Sequence, residues 1–546
     1  MASASTAIEI NDEGTWLQLL HLQLPTMEMK PSQEKRVGDK LPCKKCGKLL
    51  ASKVDSSSGN RHVWARATFC FGLGQERGQQ LLVFARAFGK NETRLASEAL
   101  YDWIANDQQA FLATEHPAFL RFVKTLRQEY EPPSADTVRR HLMAKYDESK
   151  AKLKTHFEGL DSAIALTTDG WTAPNDDPYL CLTGHWITPN WQHRSCLLAF
   201  VLFPAPHSAQ NAFQLLWDCI RDWGIDRKIS ACVTDNTATA SAYNISTHLQ
   251  AAVAPRPFHK MRCSAHLLQL AIKHGLADAK TSDILEPLRK FSNTVRRSIP
   301  LSQKLKEMCA RTGDTYSRPK RDMDVRWNST YTMLQGLLSM ETAIARLFRD
   351  DSDLQDVAFS SITWSYMRDI VAILAPFAQA TEFLQGLKFF TLGTVAQTVD
   401  YLAHRAALRE TNASLTAWGN SLALHLGAHL QHYCVHLIDG TATQFATILH
   451  PAVKMSLVES YLTDALVPKV HLPTDFWKEK AQRYPALAKM ARDLLAIPAS
   501  TAPSESMFSR GKLLISDRRN SLTSSTVARM MCLDNWLTQF GSSFAA

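Results

Sequence analysis

The stretch Ala163-Ile164-Ala165-Leu166-Thr167-Thr168-Asp169-Gly170-Trp171 is where the chain changes its pattern. Apolar and β-branched residues run together without a helical period and stop at an acid. This predicts a buried strand from Ala163 to Thr168 that ends at Asp169. Tyr179 to Thr188 and Ser195 to Phe203 read as two more strands. The Pro189-Asn190 turn between them suits antiparallel neighbours. Asn211 to Trp223 reads as an amphipathic helix, with Phe213, Leu216, Trp217, Ile220 and Trp223 on one stripe and Gly224 as its stop. Ile229 to Val233 reads as a fourth strand, ending just before Asp235. A helix, a short segment near Met261 to Cys263, and another helix from about Ala265 follow. Three strands, a helix, a strand and a helix are the start of a mixed α/β sheet.

Upstream, residues 76 to 158 carry a helical pattern. Pro132-Pro133-Ser134 is a helix start, with Ser134 as N-cap and Asp136 in the first turn. Val138, Leu142, Tyr146, Leu153 and Phe157 then share one face. Downstream, residues 275 to 470 read almost entirely as helix, without a detectable repeat. Asp475 to Leu495 reads as helical, Ile497 to Pro503 as a break, and Ser504 onward as helix again. Ser521 to Phe540 makes a final amphipathic helix. Its Val527, Met530, Met531 and Trp536 suit either a contact between copies or packing inside one chain.

A chain of 546 residues exceeds what one core supports, so several domains are expected. Hydrophobic residues at 45% and charged residues at 21% are ordinary for a soluble globular protein. No segment offers the roughly 20 apolar residues that would span a bilayer, so no membrane partner is expected. Met1 to Gly14 carries Glu9, Asp12 and Glu13 and no basic residue, unlike a secretory signal. The chain reads as intracellular, with its eleven cysteines as thiols or metal ligands and not a disulfide framework. Net charge is +9, and residues 30 to 70 hold ten Lys/Arg against three Asp/Glu. That excess suits DNA phosphates or, equally, a solvated basic tail.

Asp169 and Asp235 each lie at a predicted strand end, where open α/β sheets bind ligands. If the strands are neighbours, two carboxylates meet and repel, and a hard divalent cation relieves the repulsion. Paired Mg²⁺ ions can activate a water or a 3′-hydroxyl at a phosphodiester. The alternative is that each Asp only caps the turn or helix that follows.

Five blocks in order give these acids a context. Leu166-Thr-Thr-Asp169-Gly-Trp171-Thr-Ala-Pro174 through Ile187, Val233-Thr-Asp235-Asn236, Arg262-Cys263-Ser-Ala-His266-Leu-Leu-Gln-Leu270, Val325-Arg326-Trp327-Asn328-Ser329-Thr330, and Pro498 through Leu522 around Ser504-Glu505-Ser-Met-Phe508 resemble the blocks of hAT superfamily DNA transposases. The resemblance covers about residues 160 to 540. It implies an RNase H-like catalytic core with a mixed sheet, interrupted by a large all-helical insertion. It also implies an Asp169, Asp235 and Glu505 site for Mg²⁺ or Mn²⁺ that cleaves DNA and transfers strands. Glu505 alone would read as a favourable acid in the first turn of a helix beginning at Pro503. The resemblance places His266 near the active site in contact with DNA, where Cys263 and His266 alone read as half a zinc site. It implies that Trp327 stacks on an unpaired or flipped base, with Arg326 on a phosphate. The alternatives are a semi-buried His266 and a core Trp327. Ser506 stands where the family often has Arg, and His450 where an acid is common.

Cys43-x-x-Cys46, with His62 and basic flanks, resembles the start of a BED-type zinc finger. The fourth ligand is expected three to five residues after the first His. Here Cys70 is the candidate, so the finger reads as degenerate or unusual in its last turn. The organisation implied is a loose start and finger over 1–75 and a helical DNA-binding or intertwining region over 76–158. The first part of the core follows over 159–274, the helical insertion over 275–470, and the rest of the core with the dimerisation region over 471–546. Partners would be double-stranded DNA and further copies of the chain, as a homodimer or higher oligomer, in the nucleus. Two other readings stand: a domesticated, non-catalytic nuclear DNA-binding descendant, and a generic RNase H-like nuclease, which the long insertion disfavours.

Overall fold

The structure is a computed structural model. It describes residues 40–42, 49–51, 89–235, 241–323, 327–351, 354, 358–386, 391–409, 414–438, 440–451, 453, 472–515 and 522–541. The chain divides into two units, Met1–Ala87 and Phe88–Ala546. In the first, strands β1 (Lys40–Pro42) and β2 (Leu49–Ala51) pair antiparallel. Cys43, Cys46, His62 and Cys70 lie outside the described residues, and so do Asn236 and Arg326.

The second unit opens with helices α1 (Lys90–Asn106), α2 (Pro117–Leu126) and α3 (Ala135–Glu158). The Ser134 hydroxyl accepts from the Thr137 N–H and starts α3 as expected. A five-stranded sheet follows: β3 (Ile164–Thr172), β4 (Pro178–Ile187), β5 (His193–Leu202), β6 (Ile229–Thr234) and β7 (His259–Arg262). Its order is β5-β4-β3-β6-β7, antiparallel across the first three strands and parallel from β3 to β7. Helix α4 (Ala209–Asp222) makes the crossover to β6, and α5 (Ser241–Val253) the crossover to β7. Gly224, at φ +70°, takes the left-handed turn that ends the first crossover. This is the mixed sheet that the strand pattern predicts.

One boundary differs. β3 does not end at Asp169 but continues to Thr172, because its pairing with β4 persists through Asp169↔Cys181 to Thr172↔Pro178. Only the parallel pairing with β6 stops there, at Thr168↔Thr234.

From α6 (Ser264–Gly275) every regular described element is helical. In order these are α7 (Ala279–Arg297), α8 (Ile299–Thr312), α9 (Trp327–Leu338), α10 (Glu341–Asp350), α11 (Ser361–Leu384), α12 (Val395–Arg409), α13 (Ala417–Ile438) and α14 (Thr441–Leu449). The segment read as helical, Asp475 to Leu495, holds α15 (Leu472–Lys480) and α16 (Pro485–Leu495). Pro485 disfavours helix at Tyr484 and starts the next one at its first position. Helices α17 (Ala502–Leu514) and α18 (Ser524–Phe540) close the chain. No helix among the described residues is long and apolar enough to cross a membrane.

The period of two splits the sheet between two cores. Ala165, Ala231 and Val233 join the core of the long helical region. Ile164, Leu166 and Cys232 join a second core with α3, α4 and α18. Helix α18 covers the edge strand. Val527, Met530, Met531 and Trp536 are all buried against it, which decides for packing inside the chain. At a bulge that leaves Leu198 out of the β4–β5 pairing, side chains take over the backbone groups. The Leu197 N–H donates to Asn535 Oδ1 at 2.7 Å, and Trp536 Nε1 donates to the Leu197 carbonyl at 2.8 Å. Trp223 Nε1 donates to the Leu198 carbonyl at 2.8 Å.

Helix α17 is locked to α18 by Arg510, whose guanidinium donates to the fully buried Asp534 carboxylate and to the Asn106 carbonyl. Gln108 Nε2 donates to the same carboxylate at 3.1 Å. Arg510→Met leaves a buried charge without its partner, a loss of about 3–5 kcal/mol. Scanning fluorimetry should show the melting temperature falling by about 5 °C or more. Adding Asp534→Leu should restore most of it. A single variant that melts like the native chain would remove this clamp from the account.

Candidate active site

The register of two strands brings the first two acids together. Ala165 pairs with Ala231, Thr167 with Val233 and Thr168 with Thr234. Continued one step past its last pair, the same register would set Asp169 beside Asp235, whose charge acts on Asp169. Neighbouring strands are about 4.8 Å apart, and these two positions share a face of the sheet. Gly170 donates its N–H to Asp169 Oδ1 at 2.8 Å.

The third acid arrives from the far end of the chain. Glu505 lies in the first turn of α17, its N–H donating to the Thr501 carbonyl at 3.1 Å. The helix is seated by its neighbour Ser504, which is fully buried and hydrogen-bonds Thr167 Oγ1 at 2.8 Å. Thr167 also bonds Thr183 Oγ1, and Thr183 bonds His185 Nε2 at 2.7 Å. Burial holds the His185 imidazole well below its ordinary value, hence neutral. This polar row runs from α17 across β3 and β4, and its β3 member Thr167 lies two residues before Asp169. Sequence reasoning passed over it. Its only trace is that Thr167, Thr183 and His185 are polar residues inside otherwise apolar strands.

Cys263 ties the remaining parts. Its N–H donates to the carbonyl of Thr234, the residue before Asp235, at 2.8 Å. Its Sγ accepts from the Thr501 N–H and hydroxyl, both at 3.4 Å. Ser264 donates to the Ala499 carbonyl at 2.8 Å. Burial pushes the Cys263 thiol up to about 11, which favours its protonated, packed form. His266 follows in the first turn of α6. Burial lowers its imidazole, while Asp235 and Glu505 pull it the other way. The structure therefore brings Asp169, Asp235, Glu505 and His266 into one electrostatic neighbourhood.

Trp327 is elsewhere. It begins α9 with 4% of its surface exposed, in the core of the helical region, its ring 6.3 Å from that of Tyr331. As packed, it offers no face to a base.

Asp169 records the crowding. Burial comes first, then the Asp235 charge; against the Gly170 hydrogen bond, and with Glu505 adding to the rise, they push its carboxyl up to about 8. A site that holds three carboxylates against their own repulsion is one a hard cation would relieve, and oxygen donors suit Mg²⁺ or Mn²⁺. As the side chains stand, no three His, Cys, Asp or Glu groups among the described residues close on one point as ligands.

A carboxyl raised in the folded state binds its proton more tightly there than in the unfolded chain. Stability then falls as pH rises from about 4 to about 8, where Asp169 must ionise in place. Asp169→Asn removes that cost. Its melting temperature should match the native chain near pH 4 and exceed it at pH 8. Added Mn²⁺ at pH 8 should raise the native value and leave the variant unchanged. A variant less stable than native at pH 8 would contradict this electrostatic account.

Three family models match the chain in succession. They are described as the ZBED1 RNase-like domain over residues 167–258, the ZBED1 RNase-like helical domain over 261–373, and the hAT family C-terminal dimerisation region over 457–537. The chain is similar to the putative AC transposase of Zea mays, 25% identical over 84% of this chain and 68% of that protein. It is similar at 23% identity to the putative transcriptional regulator tpeD of Talaromyces stipitatus, over 80% of this chain and 61% of that protein. The zinc finger BED domain-containing protein DAYSLEEPER of Arabidopsis thaliana is 22% identical over 79% of this chain and 72% of its own length. The first model begins two residues before Asp169 and the last encloses Glu505, so the blocks that carry the acids are the blocks that match. The chain thus matches the hAT family C-terminal dimerisation region over residues 457–537 and is similar along most of its length to a putative AC transposase.

Proposed function

We propose that this chain is a hAT-type DNA transposase that cleaves DNA and transfers strands at transposon ends, through Asp169, Asp235 and Glu505 on an RNase H-like core. The observation that carries the proposal is the field at Asp169. Acids that lie 66 and 336 residues apart along the chain are close enough for both partners to raise one carboxyl. A purely binding descendant has no need of such a cluster.

Asp169, Asp235 and Glu505 would hold Mg²⁺ or Mn²⁺. When bound, the ions supply charge neutralisation and an activated water or 3′-hydroxyl at the phosphodiester. The chain's own residues set the geometry. β3 and β6 hold two acids at fixed spacing, and Ser504 and Cys263 hold the helix that carries the third. His266 stands beside them as an imidazole able to donate to a phosphate oxygen. Arg326, next to α9, is the candidate phosphate contact. Base stacking by Trp327 is left out of this reading because its ring is enclosed.

In this reading residues 1–75 hold a finger in which Cys43, Cys46, His62 and Cys70 bind Zn²⁺ and read DNA, and 275–470 is an insertion into the core. Two DNA ends must be cut together, which calls for a homodimer or higher oligomer. Because α18 spends its apolar face inside the chain, the segment with exposed Leu112, Phe122 and Leu126 is the better candidate for that contact. A DNA substrate in chromosomes implies a nuclear site of action.

The test is excision in cells from a donor plasmid carrying the DNA ends that flank the coding region. The native chain should excise, and Asp169→Asn and Glu505→Gln should each reduce excision by at least about 100-fold. No excision by the native chain, with intact binding to those ends, would replace the transposase with a domesticated DNA-binding protein.

A further inference from the structure

The helical region carries a cluster of imidazoles far along the chain from the acid site. His425 and His429 are four residues apart on α13 and therefore share a face. Their Nε2 atoms are 3.2 Å apart. Two imidazole nitrogens bound to one tetrahedral zinc, each at about 2.0–2.1 Å, stand roughly 3.3 Å apart. His274, in the last turn of α6, faces them from the neighbouring helix, its ring 6.2 Å from that of His429. Its Nδ1 is engaged by the Tyr433 hydroxyl, which leaves Nε2 as the nitrogen available to a ligand.

The packing of the two helices makes this meeting specific. A Cβ at Gly275 would fall 2.4 Å from Leu426 Cδ2, so only glycine lets α13 approach at this point. Leu426 is fully buried in that contact, and His425 and His429 flank it. Asp278, at the N-cap of α7, lies within reach of the His425 charge.

We infer that His425 and His429, joined by His274 across the helix boundary, form a surface site for a borderline divalent transition metal of the Zn²⁺ kind. Two nitrogens already converge, His274 completes a third ligand by turning about its side-chain bonds, and water fills the fourth position. Bound metal would cross-link α13 to α6, whose first turn carries His266. The donors are nitrogen only, so the site differs in metal preference from the carboxylates.

The test uses the full chain with Cys43→Ser and Cys46→Ser, so that thiols of the N-terminal segment do not compete, in excess Mg²⁺ to occupy the carboxylates. Zn²⁺ is titrated calorimetrically. The expected result is one binding event, lost in His425→Ala/His429→Ala, weakened about tenfold in His274→Ala, and kept in His432→Ala. Co²⁺ bound to the parent should show d–d absorption without a sulfur charge-transfer band. Unchanged melting of the double variant without metal would show that the loss is not misfolding. Zinc bound equally by the double variant, or no uptake by the parent, would overturn the site.

Discussion

The parallel pairing of β3 with β6 is the constraint on which the site depends. It sets Thr168 beside Thr234 and so delivers Asp169 and Asp235 to adjacent positions on one face. Each strand is buried on both sides, in cores that differ for odd and even positions, so a slip of one residue would turn every side chain over. The register is thus held by the whole apolar content of the sheet, and two like charges are carried along with it. The raised carboxyl of Asp169 is the electrostatic consequence of a geometry fixed by hydrophobic burial.

The third acid is held by contacts of another kind. Helix α17 packs Phe508 against Trp171 and Phe200 of the sheet, and its start is seated by hydrogen bonds between residues very distant in sequence: Ser504 with Thr167, and Thr501 twice with Cys263. Arg510 and Asp534 anchor its far end. Each of these polar groups is buried or partly buried with a partner, and a buried donor or acceptor left without one is costly. They therefore fix the orientation of the helix along with its apolar packing. Cys263 is the junction, since its backbone holds the strand that leads to Asp235 and its sulfur holds the N-cap of the helix bearing Glu505.

The closing helix shows how one element can serve two demands. A free edge on β5 would invite pairing with another chain. Asn535 and Trp536 occupy its backbone groups at the bulge, and the apolar face of α18 is consumed in the same contact. The region that family comparison describes as a dimerisation region thus contributes its last helix to the core of its own chain.

Local pattern was enough to read the strands, the crossover helix with its stripe, the Ser134 cap, the helical character of the long middle region and the candidate acids, because period, caps and turn residues act over a few neighbours. It misplaced the end of β3, because Asp169 and Gly170 break the apolar run and hide a pairing that only β4 supplies. Glu505 could be named from a resemblance but not from spacing, since 336 residues separate it from Asp169. Trp327 shows the converse: beside an arginine it suits a base-stacking ring, and its enclosure follows only from the helices around it. The sequence by itself determined which residue types could hold a cation and which segments would be strand or helix. Tertiary structure alone decided which of them meet, because convergence is set by register, by the fit of Gly275 against Leu426, and by buried hydrogen bonds between residues far apart in the chain.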